Sequence, residues 1–500
     1  METSKEYTRF GRQVGYVIGA NIALVLLGFI RLPILTKGLG ADLYGTWSLI
    51  SVTISLIAPF ALLGLGSAII RFLTAEKNES KISEDFISAC FTVAILGTAL
   101  SLLLFLLSDY LAIYILKDIE LSSYVKIASI LILFNALEGL TLTFFRMQRK
   151  IGLYTTLNLS RNALQVGLIV LAIMLGYELD GVIIAIIASG ATFLAIQLLI
   201  ILRQTGLRLP RFTSTRSYLR WGVPLTPNIA ILWIIQASDR YIVSYFLGVA
   251  AAGIYSAAYA IANYAAFVLA PLSLVLYPTI IKFYEEGKIN ETRNYLKYSL
   301  KYFLMIAIPS AFGLSILAKP FLLILTKPEF ATGNNVVPFI ACGAVLFGFY
   351  QICIHIIFLA NRTHLTMRLL GTAAALNIVL NILLIPPMGI VGAAIATLVA
   401  YGVLGILTWV VSRRYLKFDL SLLFILKSAI ASAIMALCIY LFDPSSGTEV
   451  IISIVGGILI YFGFLLIMKG LSKSEIRFFL NFVKENLQRF LLSKGRRISN

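Results

Sequence analysis

The sequence predicts an all-α polytopic membrane protein with about fourteen transmembrane helices, on the basis of its composition, its long apolar runs and the placement of its basic residues. Of its 500 residues, 59% are hydrophobic and only 13% are charged. Soluble domains have about 45–50% apolar and about 25% charged residues, and disordered chains combine low hydrophobicity with high charge. The excess of apolar side chains is therefore expected to face a lipid bilayer.

Fourteen apolar runs approach or exceed the roughly 20 residues that a helix needs to cross the hydrocarbon layer. They cover approximately residues 14–36, 44–67, 86–108, 121–145, 154–176, 181–202, 218–238, 248–278, 302–325, 334–360, 365–386, 388–411, 422–442 and 449–468. The run 248–278 is long for one helix, and Pro271 and Pro278 predict a kink in it.

The basic residues predict the topology. Of the 41 Lys and Arg residues, 33 fall in one set of alternate segments, five fall in the opposite set, and three lie within spans. Basic residues concentrate on the cytoplasmic side of membrane proteins. Both termini are therefore expected in the cytoplasm, with the chain in the cell membrane. Because the net charge of +18 is spread over these short segments, it does not indicate a nucleic-acid surface.

A weak internal repeat relates spans one to six to spans seven to twelve. The pattern LG-x4-G-x-aromatic-Ser opens span two at Leu39 and span eight at Leu247, an offset of 208 residues. Phe145-x3-Arg149 and Phe358-x3-Arg362 follow spans four and ten. Because six is an even number, the two halves would enter the membrane in the same direction, as in transporters with parallel repeats.

The repeat predicts five segments. They are an N-terminal six-helix bundle (1–202), a cytoplasmic linker (203–217), a C-terminal six-helix bundle (218–411), two extra transmembrane helices (412–468) and a cytoplasmic basic tail (469–500). The two bundles are expected to be pseudosymmetric around a central cavity. In the tail, Ser472-x-x-Glu475 predicts a capping box at the start of an amphipathic helix that lies on the anionic inner leaflet.

Three motifs resemble the polysaccharide-biosynthesis flippases, which include the O-antigen (lipid-linked oligosaccharide) flippases. This family belongs to the multidrug/oligosaccharidyl-lipid/polysaccharide exporter superfamily. The motifs are Arg31-x-Pro-x-Leu-x3-Leu-Gly40-x4-Gly45, Trp221-Gly-Val-Pro224 and Asn377-x3-Asn381-x4-Pro386-x2-Gly389-x2-Gly392. The resemblance covers essentially the whole chain. It implies that the two halves rock about the cavity to expose a substrate alternately to each side of the membrane.

The first candidate site residues are Arg31, Asp239 and Arg240. Arg31 lies nine residues before Gly40, and Arg240 lies eight residues before Gly248, so the repeat places two arginines at nearly the same depth. Guanidinium groups facing the cavity would suit the oxygens of a pyrophosphate. The alternative is that both side chains extend to the outer interface, with Asp239 as a local partner.

Glu138 and Arg161 are the next candidates, because an ionisable group within a span costs about 2.5–3.5 kcal/mol on insertion scales. They are expected either to face the cavity or to form a buried structural pair. His355 lies within span ten among isoleucines, where it is either a core histidine or a proton-coupling group.

The sequence predicts no enzyme, cofactor or metal site. It contains no phosphate-binding glycine-rich loop, and its four cysteines lack metal-ligand spacing. The short outer loops are also unlike those expected of a membrane glycosyltransferase.

The predicted function is a flippase that moves a lipid-linked oligosaccharide from the cytoplasmic to the outer leaflet, for cell-surface polysaccharide or glycan biosynthesis. Transport of a peptidoglycan precursor and antiport of drugs or organic cations are the alternatives. A cation antiporter should have cavity acids, and residues 14–36 contain none. We expect a monomer whose partners are the lipid-linked substrate, membrane lipid and candidate glycan-assembly enzymes.

Overall fold

The part of the chain that the computed structural model describes is entirely helical, without a β-strand. It comprises residues 2–74, 76–206, 208–473 and 475–477, with side chains from residue 19 onward except those of 225 and 274. All-helical structure follows from the apolar composition, because a helix satisfies its own backbone hydrogen bonds in lipid.

The helices of the first predicted half are α1 (Glu2–Leu62), α2 (Leu65–Leu73), α3 (Glu79–Leu106), α4 (Ser108–Leu111), α5 (Ser122–Ala128), α6 (Leu131–Met147), α7 (Ile151–Met174) and α8 (Leu179–Thr205). Those that follow are α9 (Thr215–Gly222), α10 (Thr226–Leu247), α11 (Val249–Asn263), α12 (Leu269–Glu285), α13 (Ile289–Ile316), α14 (Ala318–Leu325), α15 (Val337–Leu359), α16 (Thr363–Met388), α17 (Ile390–Ser412), α18 (Leu422–Phe442) and α19 (Gly447–Ile467). A π-turn at Ala112–Leu116 and 3₁₀ turns at Ile119–Leu121, Val223–Leu225, Tyr264–Ala266 and Pro328–Val336 lie between them.

Within the described residues, 11 helices are long and apolar enough to cross a membrane, or up to 12 if a bent pair forms one span. The first of these, Gly19–Leu62, is 44 residues long and covers most of two sequence-predicted spans, 14–36 and 44–67. Helix α10 is not among them, and it contains the polar residues Gln236, Asp239 and Arg240.

Large apolar side chains cover the outer surface of the helices. On α18 and α19, for example, Leu441 is 74% exposed and Leu459 is 70% exposed. A soluble protein rarely exposes so much contiguous apolar surface, so this surface suits contact with lipid tails.

Two glycines turn the chain at equivalent places in the repeat. Gly40 breaks α1 with φ 76° and ψ 178°, and Gly248 separates α10 from α11 with φ 89° and ψ 169°. A residue with a Cβ is strained at such positive φ values. The glycine of the LG pattern is therefore explained by a turn that occurs in both halves. Helix α1 consists of two helical segments that meet at Gly40.

Residues that the repeat pairs in sequence also meet in space. The Ser48 and Ser256 hydroxyls, 208 residues apart, share a hydrogen bond of 2.6 Å. A Cβ on Gly45 would collide with the Val249 carbonyl oxygen, and a Cβ on Gly253 would collide with that of Ala41. Glycine at both positions lets the part of α1 after Gly40 (residues 41–62) pack on α11 with the two backbones in contact.

The predicted span 248–278 is two helices bent by 45°. Helix α11 ends at Asn263, and α12 begins at Leu269. The break lies just before Pro271, as expected because a proline lacks a backbone N–H and its ring crowds the carbonyl four residues earlier. The predicted kink is present, but it precedes the first proline.

The predicted capping box at the start of the tail is confirmed. The Ser472 backbone N–H donates to Glu475 Oε2 at 2.8 Å, and the Glu475 N–H donates to Ser472 Oγ at 3.2 Å. The rest of the predicted amphipathic helix, residues 478–500, lies outside the described residues.

Candidate functional site

A cavity of about 730 Å³ lies between the first helices of the two halves. Each of four helical segments contributes side chains at spacings of three or four residues, which is one helix face. These stripes are 28–31–32–35 and 44–47–48–51–52–55 on α1, 229–232–233–236–237–240 on α10, and 256–259–260–263 on α11. Side chains at 264, 266, 269, 344, 347 and 401 complete the wall.

Arg31 and Arg240 both line this cavity, as the sequence predicts. They are its only charged lining residues within the part of the chain that the structure describes. Arg31 is exposed and forms no ion pair with a described residue. Among the described residues, the cavity lining therefore contains two cationic side chains and no acidic one.

Neighbouring groups of α10 and α11 hold the Arg240 side chain in place. Its Nη1 donates to the Gln236 carbonyl at 2.8 Å, and its guanidinium carbon lies 4.4 Å from the centroid of the Tyr259 ring. Nη1 also lies 3.3 Å from Asp239 Oδ1. The guanidinium is thus oriented before any ligand arrives.

Asp239 is fully buried and does not line the cavity. Its carboxylate accepts hydrogen bonds from the Tyr255 hydroxyl at 2.5 Å and from Thr397 Oγ1 at 3.4 Å. These neighbours enclose the carboxylate, so Asp239 does not reach the cavity in this conformation, and its contact with a ligand stays a prediction. Asp239 instead balances Arg240 from behind.

Glu138 and Arg161 also lie away from the cavity and form an ion pair with each other. Glu138 Oε1 is 2.9 Å from Arg161 Nε, across α6 and α7. Glu138 is 4% exposed, and one turn along α6 Thr141 donates a hydrogen bond to Gln197 of α8. Of the two alternatives for this pair, the structure shows the buried pair within the first half.

His355 lies on α15, and it too is absent from the cavity lining. Its ring stacks on Tyr277 of α12, with the centroids 4.9 Å apart. Neither ring nitrogen has a hydrogen-bond partner among the described residues. The Phe358 ring is its other described ring contact, with the centroids 6.1 Å apart.

Sequence reasoning did not select the aromatic side chains of the cavity wall, which are Tyr44, Trp47, Trp233, Tyr259, Tyr264, Phe347 and Tyr401. One signal was present. Residues 44, 47, 48, 51 and 55 share one helix face and combine aromatic rings with serines, which is unusual for a face buried in lipid.

The cavity is closed at the end where the Gly40 and Gly248 turns lie. Thr36 Oγ1 donates to the Leu325 carbonyl at 3.3 Å, and Ser244 Oγ donates to the Ile115 carbonyl at 3.0 Å. Thr36 and Ser244 are themselves 208 residues apart. Each half therefore closes this end on the other through equivalent bonds.

The helices share their fold with solved structures of membrane transporters. A solved structure described as "Lipid II flippase MurJ, inward closed conformation" aligns with a TM-score of 0.75 at 20% identity, covering 90% of this chain and 98% of that one. An inward-facing multidrug resistance MATE family transporter of the MOP superfamily aligns with a TM-score of 0.69 at 14% identity, covering 80% and 97%.

The chain belongs to the polysaccharide biosynthesis protein family, which matches residues 34–330. The resemblance seen in the sequence motifs is thereby confirmed. A Haloferax volcanii protein named "Probable low-salt glycan biosynthesis flippase Agl15" is 23% identical over 456 residues, covering 89% of this chain and 92% of that protein. "Probable flippase AglR" of the same organism is 30% identical over 199 residues, covering 37% and 39%.

Proposed function

We propose that the protein is a flippase that translocates a lipid-linked, polyprenyl-pyrophosphate oligosaccharide from the cytoplasmic to the outer leaflet, for cell-surface polysaccharide or glycan biosynthesis. The cationic cavity is the observation that carries this proposal. Arg31 and Arg240 give it a charge opposite to that of a pyrophosphate, and planar guanidinium groups match phosphate oxygens in pairs.

The same cavity disfavours the cation antiporter. Its lining contains no carboxylate among the described residues. A site for organic cations requires a negative charge, or aromatic faces without cationic side chains beside them, and here Arg31 and Arg240 lie in the same cavity. The relative named as a probable glycan-biosynthesis flippase and the one named as a probable flippase support the same choice. Transport without catalysis fits this function, because the pathway needs only a passage for the polar head group.

We infer that the chain crosses the cell membrane fourteen times, as six, six and two spans, with both termini in the cytoplasm and the domain bounds predicted from the sequence. Two spans would lie within α1, joined at Gly40, and α10 would cross despite its polar residues. The equivalent Gly40 and Gly248 turns and the Ser48–Ser256 contact support a pseudo-twofold arrangement. A monomer suffices for this mechanism, and glycan-assembly enzymes are its candidate partners.

Alternating access then requires the closed end to open. With the proposed topology that end faces outward. The halves also meet at the opposite end, where a Cβ on Gly222 would lie 2.3 Å from the Leu63 carbonyl oxygen, so this contact has to open before substrate enters from the cytoplasm. Opening breaks the Thr36–Leu325 and Ser244–Ile115 hydrogen bonds and separates α1 from α11. Substrate binding by Glu138 and Arg161 and proton coupling by His355 stay predictions, and none of the three residues lines the cavity in this conformation.

A complementation experiment tests the proposed function. In a strain lacking the gene, lipid-linked glycan should accumulate, and the wild-type gene should clear it. Arg31→Ala should reduce clearance by at least about tenfold, because a hydrogen bond to a charged group contributes about 1.5–3 kcal/mol. Arg31→Ala/Arg240→Ala should abolish clearance. Quantification of lipid-linked glycan by mass spectrometry provides the measurement.

The matched control is Arg293→Ala/Arg368→Ala, which removes two exposed arginines outside the cavity. This control should clear glycan as the wild type does. Normal surface glycan without the gene, together with reduced efflux of a cationic dye, would overturn the flippase and favour the antiporter. Arg31→Ala alone separates loss of the anion site from misfolding, because Arg31 has no ion-pair partner among the described residues.

A further inference from the structure

The cavity wall changes character along α10. Arg240 and Trp233 both line the cavity, and they are seven residues apart. Seven residues of helix rise about 10 Å. With the proposed topology, a second region of the cavity wall therefore lies on the cytoplasmic side of the arginines. The Trp233 indole and uncharged polar groups form it. A pyrophosphate held by the arginines would leave this second region to the remainder of the head group.

The Trp233 ring is fixed in position by the facing segment of α1. Its Nε1–H donates to the Val52 carbonyl at 3.1 Å and to Ser55 Oγ at 3.0 Å. The side chain remains only half-buried, and it lines the cavity. A ring with its single donor already engaged offers a ligand an apolar face at a fixed angle.

Three neighbouring polar side chains are free to bind a ligand. The amides of Gln236 and Asn263 and the hydroxyl of Ser51 line the same cavity, and none of them has a hydrogen-bond partner among the described residues. Ser48 and Ser256, by contrast, are paired with each other. Together the free groups supply donors and acceptors without charge.

We infer that Trp233, with Gln236, Asn263 and Ser51, forms a sugar-binding subsite for the glycan of the lipid-linked substrate. A pyranose ring has an apolar C–H face that packs on an aromatic ring, and its edge of hydroxyls needs neutral donors and acceptors. Sites of this kind combine an aromatic wall with a few polar groups that fix orientation. This subsite rests on the proposed function and adds recognition of the sugar to that of the pyrophosphate.

Binding to two probes tests the subsite. One is farnesyl diphosphate, which has no sugar, and the other is the lipid-linked glycan purified from the deletion strain. Trp233→Leu in the full-length detergent-purified protein should weaken binding of the glycan probe about tenfold, since it loses an aromatic face. It should leave binding of farnesyl diphosphate unchanged. Gln236→Ala/Asn263→Ala should give the same selective loss.

Trp233→Phe is the matched control, because it keeps an aromatic face and loses the N–H. It should bind the glycan probe within about threefold of the wild type, the size of one neutral hydrogen bond. Equal weakening of both probes by Trp233→Leu, or unchanged binding of the glycan probe by both Trp233→Leu and Gln236→Ala/Asn263→Ala, would overturn the subsite. Failure of the proposed function looks different: no glycan accumulates, or Arg31→Ala binds farnesyl diphosphate as well as the wild type does.

Discussion

Arg240 presents its charge to the cavity while a buried carboxylate balances it from the opposite side. Asp239 is enclosed by Tyr255, Thr397 and the Arg240 guanidinium. Removing one partner of a buried pair leaves an uncompensated charge, which is usually strongly destabilising. Asp239 is therefore a positioning residue, and we expect it to affect transport by orienting the Arg240 side chain.

A double-mutant cycle on glycan clearance tests this coupling. Asp239→Asn should reduce clearance several-fold, because the guanidinium loses its orienting partner. Asp239→Asn/Arg240→Gln should be no worse than Arg240→Gln alone, as expected for residues that act as a unit. Additive losses would show that Asp239 acts independently of Arg240.

The sequence predicted the two arginines of the cavity because the repeat aligned them at similar depth. It could not separate Asp239 from the cavity, since adjacent residues on a helix point about 100° apart and only the packing of α10 decides which one faces inward. Trp233 was missed for the same reason, because the sequence does not show whether an aromatic residue in an apolar run faces the cavity or lipid.

Proline and glycine positions decide the shapes of the elements. Turns at Gly40 and Gly248 and the bend before Pro271 follow from backbone chemistry that is visible in the sequence. The start of α13 at Ile289 was not visible, because residues 289–301 are too polar for a span. This polar first part of α13 reaches the start of the tail, where Lys301 Nζ lies 2.6 Å from Glu475 Oε1.

The Lys301–Glu475 contact should anchor the tail to α13 in a pH-dependent way. Burial raises the pKa of Glu475, but hydrogen bonds from Lys301 and Ser472 outweigh burial and hold the pKa below its usual value. The contact is therefore fully formed above the ordinary glutamate pKa of about 4.3. It weakens as the pH falls through the lower value of the folded protein.

Hydrogen exchange in residues 469–477 measures this anchoring. At pH 7, Glu475→Gln should lose protection there, while Glu285→Gln, a change at an exposed glutamate of α12, should not. Acidification below pH 4 should bring the wild type toward the variant, after correction for intrinsic exchange rates. Equal protection in the wild type and Glu475→Gln at pH 7 would show that the pair does not hold the tail.

At the scale of the whole molecule, residues 41–62 of α1 pack closely on α11, with Gly45 and Gly253 at the point of closest approach. Composition and basic-residue placement predicted the membrane class, and the repeat predicted two related halves around a cavity. Neither could predict which end of the cavity is closed, because a transporter sequence must support both conformations with small differences in free energy. The bonds of Thr36 and Ser244 show that the halves are in contact at the end where the Gly40 and Gly248 turns lie.

The most direct test of the account is glycan translocation in proteoliposomes by a Ser48→Cys/Ser256→Cys variant whose four native cysteines are alanine. The two hydroxyls are 2.6 Å apart, so the introduced thiols should be close enough to form a disulfide in the closed conformation. A lectin added outside the vesicles reports the glycan that reaches the outer leaflet. We predict translocation by the reduced protein, its loss on oxidation and its recovery with dithiothreitol, while Ser48→Cys alone stays active throughout. Translocation that persists in the oxidised, cross-linked protein, or that is absent from the reduced protein and the single variant, would contradict the account.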